Sequence, residues 1–408
     1  MNQSPTASRT GLRALPRNVW VMTLTSFLTD ISSEMVFNLL PLFLANVLGV
    51  KTNVIGLIEG LAESTASLLK VFSGWLSDKL RRRKSLTVFG YGLSSLVKPF
   101  LYIVTGWPGV LAVRFADRVG KGIRTAPRDA LIADSIDPAH RGLAFGLHRA
   151  GDTLGAMTGL IIALALVLGV QAASVSLSRE TFQAVVLVSI VPAFLAVGVL
   201  VLGARDVPVT GEAPPPRLSL RDVSPAFRRF LGIVVLFTLG NSADAFLILR
   251  AQERGVNVAG VLGMLITFNL VYSLVSGPAG ALSDRFGRRR LILAGWTIYG
   301  LIYLGFALVS ETWQVWALYA LYGLYYGVFE GTAKAFVADL VPAAQRGTAY
   351  GLYNAAVGLV ALPASLMAGI LWQGLGGWQG FGPSAPFLAG AILALAAMAL
   401  LAVWKPTG

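Results

Sequence analysis

The chain has no cysteine and only two histidines, His140 and His148. Disulfides and thiolate metal sites are excluded, and two histidines do not make a histidine-rich metal site. Charge is scarce as well: 13% of the residues are charged, against about 25% in an ordinary soluble domain. Such a surface cannot face water all round, so lipid must cover much of it. No glycine loop with a lysine for phosphate and no nucleophile elbow occurs, and nothing points to ATP hydrolysis or to a membrane enzyme. The stretch 1–18 lacks the apolar run and small-residue cleavage site of a removable signal peptide. The first apolar span is therefore expected to act as an uncleaved membrane signal.

What is present is apolar: 55% of 408 residues are hydrophobic, in long runs without period-two alternation. Backbone facing lipid must be helical or a closed barrel, and runs of this length read as helices. We expect helices near 19–48, 53–77, 85–105, 107–136, 141–170 and 181–203, then near 228–252, 257–283, 290–309, 312–340, 346–373 and 384–404. The organisation expected is a short cytoplasmic segment (1–18), a six-helix bundle (19–203), a cytoplasmic linker (204–227) carrying Pro214, Pro215 and Pro216, and a second six-helix bundle (228–404).

The net charge of +13 does not point to nucleic acid, because the basic residues sit in short clusters between apolar spans. Arg9, Arg13 and Arg17 form one cluster, Lys79 with Arg81, Arg82, Arg83 and Lys84 another; Arg217, Arg221, Arg228 and Arg229 a third; and Arg285, Arg288, Arg289 and Arg290 a fourth. The other side holds little beyond Lys51, Arg179 and Arg254. The positive-inside rule then places both termini and the linker in the cytoplasm of a multi-pass protein of the inner (plasma) membrane. The partners expected are the lipid bilayer and a small-molecule substrate, with no nucleic acid, and the chain is expected to be a monomer.

The halves repeat. Gly74-Trp-Leu-Ser-Asp78 recurs as Gly280-Ala-Leu-Ser-Asp284, and Ala130-Leu-Ile-Ala-Asp134 as Ala335-Phe-Val-Ala-Asp339. Both lie at an offset of 205 or 206 residues, about half the chain. Parallel six-helix repeats are a transporter design, with the substrate site between them at mid-membrane.

The loop after helix 2 resembles the signature of the major facilitator superfamily. Gly280, Asp284, Arg285, Gly287, Arg288 and Arg289 match it in the second half; Gly74, Asp78, Lys79, Arg82 and Arg83 match it in the first, where Arg81 replaces a glycine. The resemblance implies an all-α membrane protein of twelve transmembrane helices in two parallel six-helix repeats. The subgroup it suggests is similar to drug/proton antiporters. It also implies a cytoplasmic gate made of Asp78 and Arg82 with Asp134, and of Asp284 and Arg288 with Asp339, flanked by Gly74 and Gly280. Close ion pairs at a helix–loop junction have a made and a broken arrangement, as a gate needs. The same charges could instead serve only to set topology.

Three further constellations carry chemistry. On helix 1, Asp30 and Glu34 are one turn apart and share a face with Thr23, Ser26 and Ser33. Two carboxylates in mid-span are costly unless paired or facing a cavity. Glu34 is expected to carry a proton, with Asp30 its partner and Arg114 and Asp152 completing the proton-coupling set. Structural ion pairs with helix 4 are the alternative. By resemblance, Arg114 stands where a helix-4 arginine assists proton coupling, although Arg118 replaces the glycine expected four residues later. Helix 4 also carries a stripe of Arg114, Asp117, Arg118, Lys121, Arg124, Thr125, Arg128 and Asp129 within about 140° of arc. That stripe lines a cavity favouring anions, or is neutralised by Asp30, Glu34, Glu59, Glu63 and Asp152. Helix 5 has a small-residue ridge, Gly151, Gly155 and Gly159, with Arg149 on its other side, and lacks the proline common in this helix of family exporters.

The substrate-binding set expected is Arg118, Lys121, Arg124 and Arg149 from the first half and Asp244, Tyr322, Tyr326, Glu330 and Asn354 from the second. No cofactor and no metal are expected; a proton gradient is the expected energy source. The function expected is alternating-access, proton-coupled export of a small amphiphilic or anionic organic solute. Proton-coupled or facilitated uptake of a metabolite or siderophore-like anion is the alternative. A passive channel or a lipid-moving protein is a third reading, which the paired gate motifs disfavour.

Overall fold

The computed structural model describes residues 15–80, 82–137, 140–171, 174–207, 219–342 and 345–404, without the side chains of Asp78, Asp222, Ala281 and Asp284. The first half holds α1 (Arg17–Phe37, continued by Leu40–Leu42 and Phe43–Val47), α2 (Thr52–Leu80), α3 (Arg83–Val97, ending in a 3-10 turn Lys98–Tyr102), α4 (Trp107–Asp134), α5 (Arg141–Val170) and α6 (Arg179–Gly203). The second half holds α7a (Pro225–Leu239), α7b (Ala245–Glu253), α8 (Val258–Phe286), α9 (Arg288–Leu308), α10 (Thr312–Asp339), α11 (Arg346–Gln373) and α12 (Ala385–Val403).

Seven of these spans are long and apolar enough by composition alone to cross a bilayer. The stretches that fall short include the charge-bearing α2 and α4 and the broken α7, the elements from which the central cavity draws much of its polar lining. Exposed apolar side chains wrap the outside, among them Ile161, Leu195, Leu274, Leu301 and Ile392. In a chain with this many apolar spans, such a belt marks a lipid-facing surface.

The two halves repeat in three dimensions. In the first, α1 packs on α5 and α6, α2 on α4, and α3 on α4 and α6. In the second, α7 packs on α11 and α12, α8 on α10, and α9 on α10 and α12. The halves meet along two seams, α2 against α11 and α5 against α8. Without a hydrophobic force between helices in lipid, close approach comes from small residues. A Cβ at Gly155 or Gly159 would strike the carbonyls of Phe27 and Ile31, and this is what the helix-5 glycine ridge does: it seats α5 on α1. On the α2–α11 seam, a Cβ at Gly56 would strike the Ser365 carbonyl, and one at Gly369 the Thr52 carbonyl.

Two spans expected to be continuous are broken. In α1, Pro41 removes an N–H and crowds the carbonyl one turn earlier, so the helix breaks at Asn38–Leu39. In the second half the chain leaves the helix between Leu239 and Ala245. Gly240 permits the backbone of α12 to approach at Gly390. The freed backbone groups find partners: Tyr299 donates to the Gly240 carbonyl at 3.0 Å, and Ala243 N–H donates to Ser365 Oγ at 3.2 Å. Irregular backbone at this depth is tolerated only where it is so satisfied or lines a cavity.

Candidate functional site

A cavity of about 620 Å³ lies between the halves, lined by α1, α2, α4 and α5 on one side and by α7, α8, α10 and α11 on the other. One end of the bundle carries the arginine-rich loops and is called here the basic end. At the opposite end the halves are stitched together. Thr52 N–H donates to Gln373 Oε1 at 2.8 Å, Asn53 Nδ2 to the Gly374 carbonyl at 3.1 Å, and Asn46 Nδ2 to Gln252 Oε1 at 3.0 Å. Deeper, Ser64 Oγ donates to the Gly358 carbonyl at 2.5 Å. Toward the basic end the α2–α11 seam opens into a side pocket of about 360 Å³, lined by Lys70, Gly74, Asp129, Gly347 and Asn354 among others. Among the described side chains, the bridge nearest the basic end joins Arg149 of α5 to Tyr272 of α8 and to Glu330 of α10, the latter at 3.5 Å.

The first-half wall is a mosaic of ion pairs. Arg114 Nη2 meets Glu59 Oε2 at 2.7 Å, with both side chains buried. Arg118 lies 3.5 Å from Glu63 and 3.8 Å from Asp117. Arg124 turns toward α3, donating to Ser94 Oγ at 3.0 Å, and its guanidinium lies 4.2 Å from the Tyr91 ring. Phe37, at the break in α1, is ringed by Arg114, Lys98 and Arg118 at 4.3, 5.5 and 5.7 Å. Such contacts contribute about 0.5–1 kcal/mol when exposed and about 2 kcal/mol when desolvated. Glu34 accepts from Asn38 Nδ2 at 2.7 Å. The side chains of Asp30 and Lys121 line the cavity and have no hydrogen bond or ion pair among the described residues.

The second-half wall is aromatic. Tyr272, Tyr319, Tyr322, Tyr326 and Phe268 line it, and Tyr322 donates to Asp244 Oδ1 at 2.8 Å. Behind them Tyr299 and Tyr303 stack at 4.2 Å, and Tyr325 stacks on Phe329 at 5.5 Å. Glu330 is held by Tyr272 OH at 2.7 Å and by Lys334 Nζ at 3.0 Å.

The structure thus gathers Asp30, Glu34, Arg114, Arg118, Lys121, Arg124, Arg149, Asp244, Tyr322, Tyr326 and Glu330 around one cavity. Two expected members lie elsewhere. Asn354 faces the side pocket. Asp152 stands beside His148, at 3.7 Å, outside the cavity lining. Lys98 went unnoticed in the sequence: it is 2% exposed, and its ammonium donates to Ser32 and Ser33 of α1. The signal was a lone lysine in the apolar run Leu96-Val97-Lys98.

At the basic end, Asp339 pairs with Arg288 at 2.7 Å. In the first half the pair to Asp134 is made by Arg83, one residue beyond the expected Arg82. The cause is loop length. A single residue, Gly287 at φ 90°, joins α8 to α9, a conformation that favours glycine. Between Leu80 at the end of α2 and Arg83 at the start of α3 the sequence has one residue more, so the basic residue that starts the helix moves by one. Arg82 itself is exposed. Gly74 borders the side pocket, and Gly280 has no neighbour in reach of a Cβ among the described residues. The side chains of Asp78 and Asp284, and Arg81 altogether, lie outside the described residues.

The sequence profile of the Major Facilitator Superfamily matches residues 22–251 and again 229–408. The chain belongs to the major facilitator superfamily. It is 37% identical over 395 residues to an uncharacterized MFS-type transporter of Methanocaldococcus jannaschii, covering 95% of each chain. It is 25% identical over 362 residues to the multidrug resistance protein MdtG of Enterobacter lignolyticus, covering 84% of this chain and 80% of that one. Among solved structures, a POT family transporter in complex with 5-aminolevulinic acid shares the fold at a TM-score of 0.81 and 14% identity, covering 97% of each chain. As a major facilitator the chain is a membrane transporter, and the cavity between its repeats occupies the place where such a fold holds its solute.

Proposed function

We propose that the chain exports a small amphiphilic organic solute in exchange for protons, by alternating access of the bundles 19–203 and 228–404 in the inner (plasma) membrane. The basic end, both termini and the linker 204–227 then face the cytoplasm, as the positive-inside rule requires. On this orientation the end joined by Thr52–Gln373 and Asn53–Gly374 faces outward and the side pocket faces the cytoplasm, the arrangement expected of an exporter ready to load. Similarity to multidrug resistance proteins supports the direction.

The observation that carries this reading is the charge balance of the cavity. Its lining holds five basic and seven acidic side chains. The helix-4 stripe therefore does not make a basic chamber, because most of its cations are already paired. Among the described residues the cavity carboxylate with neither a hydrogen bond nor an ion pair is Asp30, not Glu34, and Asp30 is the group best placed to hold the exchanged proton. A solute bearing a positive or strongly donating group would displace that proton, while its apolar body packs on Phe268 and Tyr326. Solute and proton then compete for one site, as exchange requires.

Lys121 favours a second reading, uptake of an anion. An anion at Lys121 is best held when Asp30 is neutral, so that anion and proton would travel together. The two readings differ in sign, and flux distinguishes them. With an amphiphilic cationic dye in proteoliposomes, an opposed proton gradient should drive exchange, and Asp30→Asn should abolish the gradient-driven part. Indifference of wild-type flux to the gradient, for cationic and anionic dyes alike, would reject proton coupling. The absence of cysteine lets spin labels be placed without removing native thiols. Labels at 53 and 374 should separate, and labels at 74 and 347 approach, when the cavity turns outward. Both pairs staying fixed during transport would reject alternating access.

A further inference from the structure

Outside the cavity lining, α1, α4 and α5 enclose a second polar cluster. His148 and Asp152 stand one turn apart on α5, with Nε2 3.7 Å from Oδ1. His148 is 4% exposed, yet among the described residues neither of its ring nitrogens has a hydrogen-bond partner, nor has Asp152 Oδ1. Buried imidazoles that merely fill space are normally hydrogen-bonded, since an unpaired buried polar group is costly. A small rotation of either side chain closes the gap to hydrogen-bonding range.

Polar groups reach the pair from α1, α4 and α5, beside apolar neighbours such as Ala144, Leu147 and Leu131. From α4, Arg128 and Asp129 bear on His148, with Arg149 from α5 itself. From α1, Asp30 bears on Asp152. Ser26 accepts from Arg128 Nη1 at 3.4 Å, and the buried Thr23 hydroxyl also lacks a partner among the described residues. Gly151 packs directly over Thr23, which sets that hydroxyl at the level of the pair. Thr23, Ser26 and Asp30 share one face of α1. A polar seam therefore runs from the cavity carboxylate along α1 to a histidine two turns from the basic-end start of α5.

We propose that His148 and Asp152 form a second proton-binding site that exchanges protons with Asp30. The proposal rests on the proton-coupled reading above and adds a route that bypasses the solute. A proton leaving the Asp30 carboxyl passes to the Asp152 carboxylate, then to an imidazole nitrogen of His148, then to water at the basic end. Each carrier returns to its starting form when it hands the proton on, and no other species is consumed. The solute can then occupy the cavity mouth while the proton moves behind it.

The two-histidine sequence makes the test direct. In the full chain carrying His140→Gln, His148 is the sole imidazole, and ¹⁵N-histidine labelling in lipid nanodiscs reports its protonation alone. His148 should titrate between about pH 4 and pH 9. Its midpoint should move by roughly half a unit or more in both Asp152→Asn and Asp30→Asn, since a lost nearby charge changes the energy of the ionised form. An imidazole that stays in one form across that range, or a midpoint indifferent to Asp30→Asn while it responds to Asp152→Asn, overturns the proposal. If Asp30→Asn does not fold, Asp30→Ser supplies the same loss of charge. Titration coupled to Asp30, alongside dye flux that ignores the proton gradient, would uphold the proton site and reject the coupled-transport reading instead.

Discussion

The two walls of the cavity descend from one repeat and have come to opposite chemistry. The first-half wall presents five basic and five acidic side chains, five of which (Arg114, Glu59, Arg118, Glu63 and Asp117) pair with one another. The second-half wall presents two carboxylates, Asp244 and Glu330, set among tyrosines. Corresponding helices supply both walls, and α1 and α7 both break at cavity depth, near Asn38 and Asp244, 206 positions apart. The repeat thus dictates where a side chain can reach the solute, and leaves open what that side chain is. The first wall is positioned by electrostatics, the second by ring packing.

That contrast can be broken by mutation. The largest effect is expected from Glu59→Ala. It leaves Arg114 buried and unpaired, which costs about 3–5 kcal/mol and should appear as a large drop in the unfolding temperature of the purified protein. The second-wall counterpart, Tyr322→Phe, deprives Asp244 of one donor and should cost about 1–3 kcal/mol. Equal losses would erase the distinction between the walls. Next, Lys121→Gln breaks no pair, so stability should stay within about 0.5 kcal/mol of wild type. Binding of an anionic dye should weaken about tenfold, a change of about 1.4 kcal/mol, and binding of a cationic dye should not. A loss of stability instead would mean that Lys121 is structural like its neighbours. The smallest effects belong to the basic-end pairs. Asp134→Asn and Asp339→Asn should each cost about 0–1 kcal/mol. The first should cost more, because Arg83 is 9% exposed in its pair and Arg288 is 27% exposed.

Much of this was legible in the sequence because it rests on periodicity. The twelve helices follow from apolar runs, the repeat from matching motifs, and the cavity-facing stripe of α4 from helical spacing. Partner choice was not legible. The spacing that puts Arg114 and Arg118 on one face does not say that α2, through Glu59 and Glu63, lies nearer than Asp30. Pro41 and the run Gly240-Asn241-Ser242 were signals of the helix breaks, but apolar content across both spans masked them. The shift from Arg82 to Arg83 depends on a one-residue difference in loop length, which shows in the sequence only as the repeat offset falling from 206 to 205 between Asp78 and Asp134. Asn354 was assigned from residue type alone, and the opening of the α2–α11 seam places it in the side pocket.

The central claim is that the cavity's proton sits on the first-half wall and leaves when solute binds. Proton movement on adding a cationic amphiphilic dye to purified protein in lightly buffered solution tests it most directly. The account predicts proton release by the wild type and by Asp244→Asn, and none by Asp30→Asn. Proton uptake by the wild type, or release that survives in Asp30→Asn and vanishes in Asp244→Asn, would contradict it.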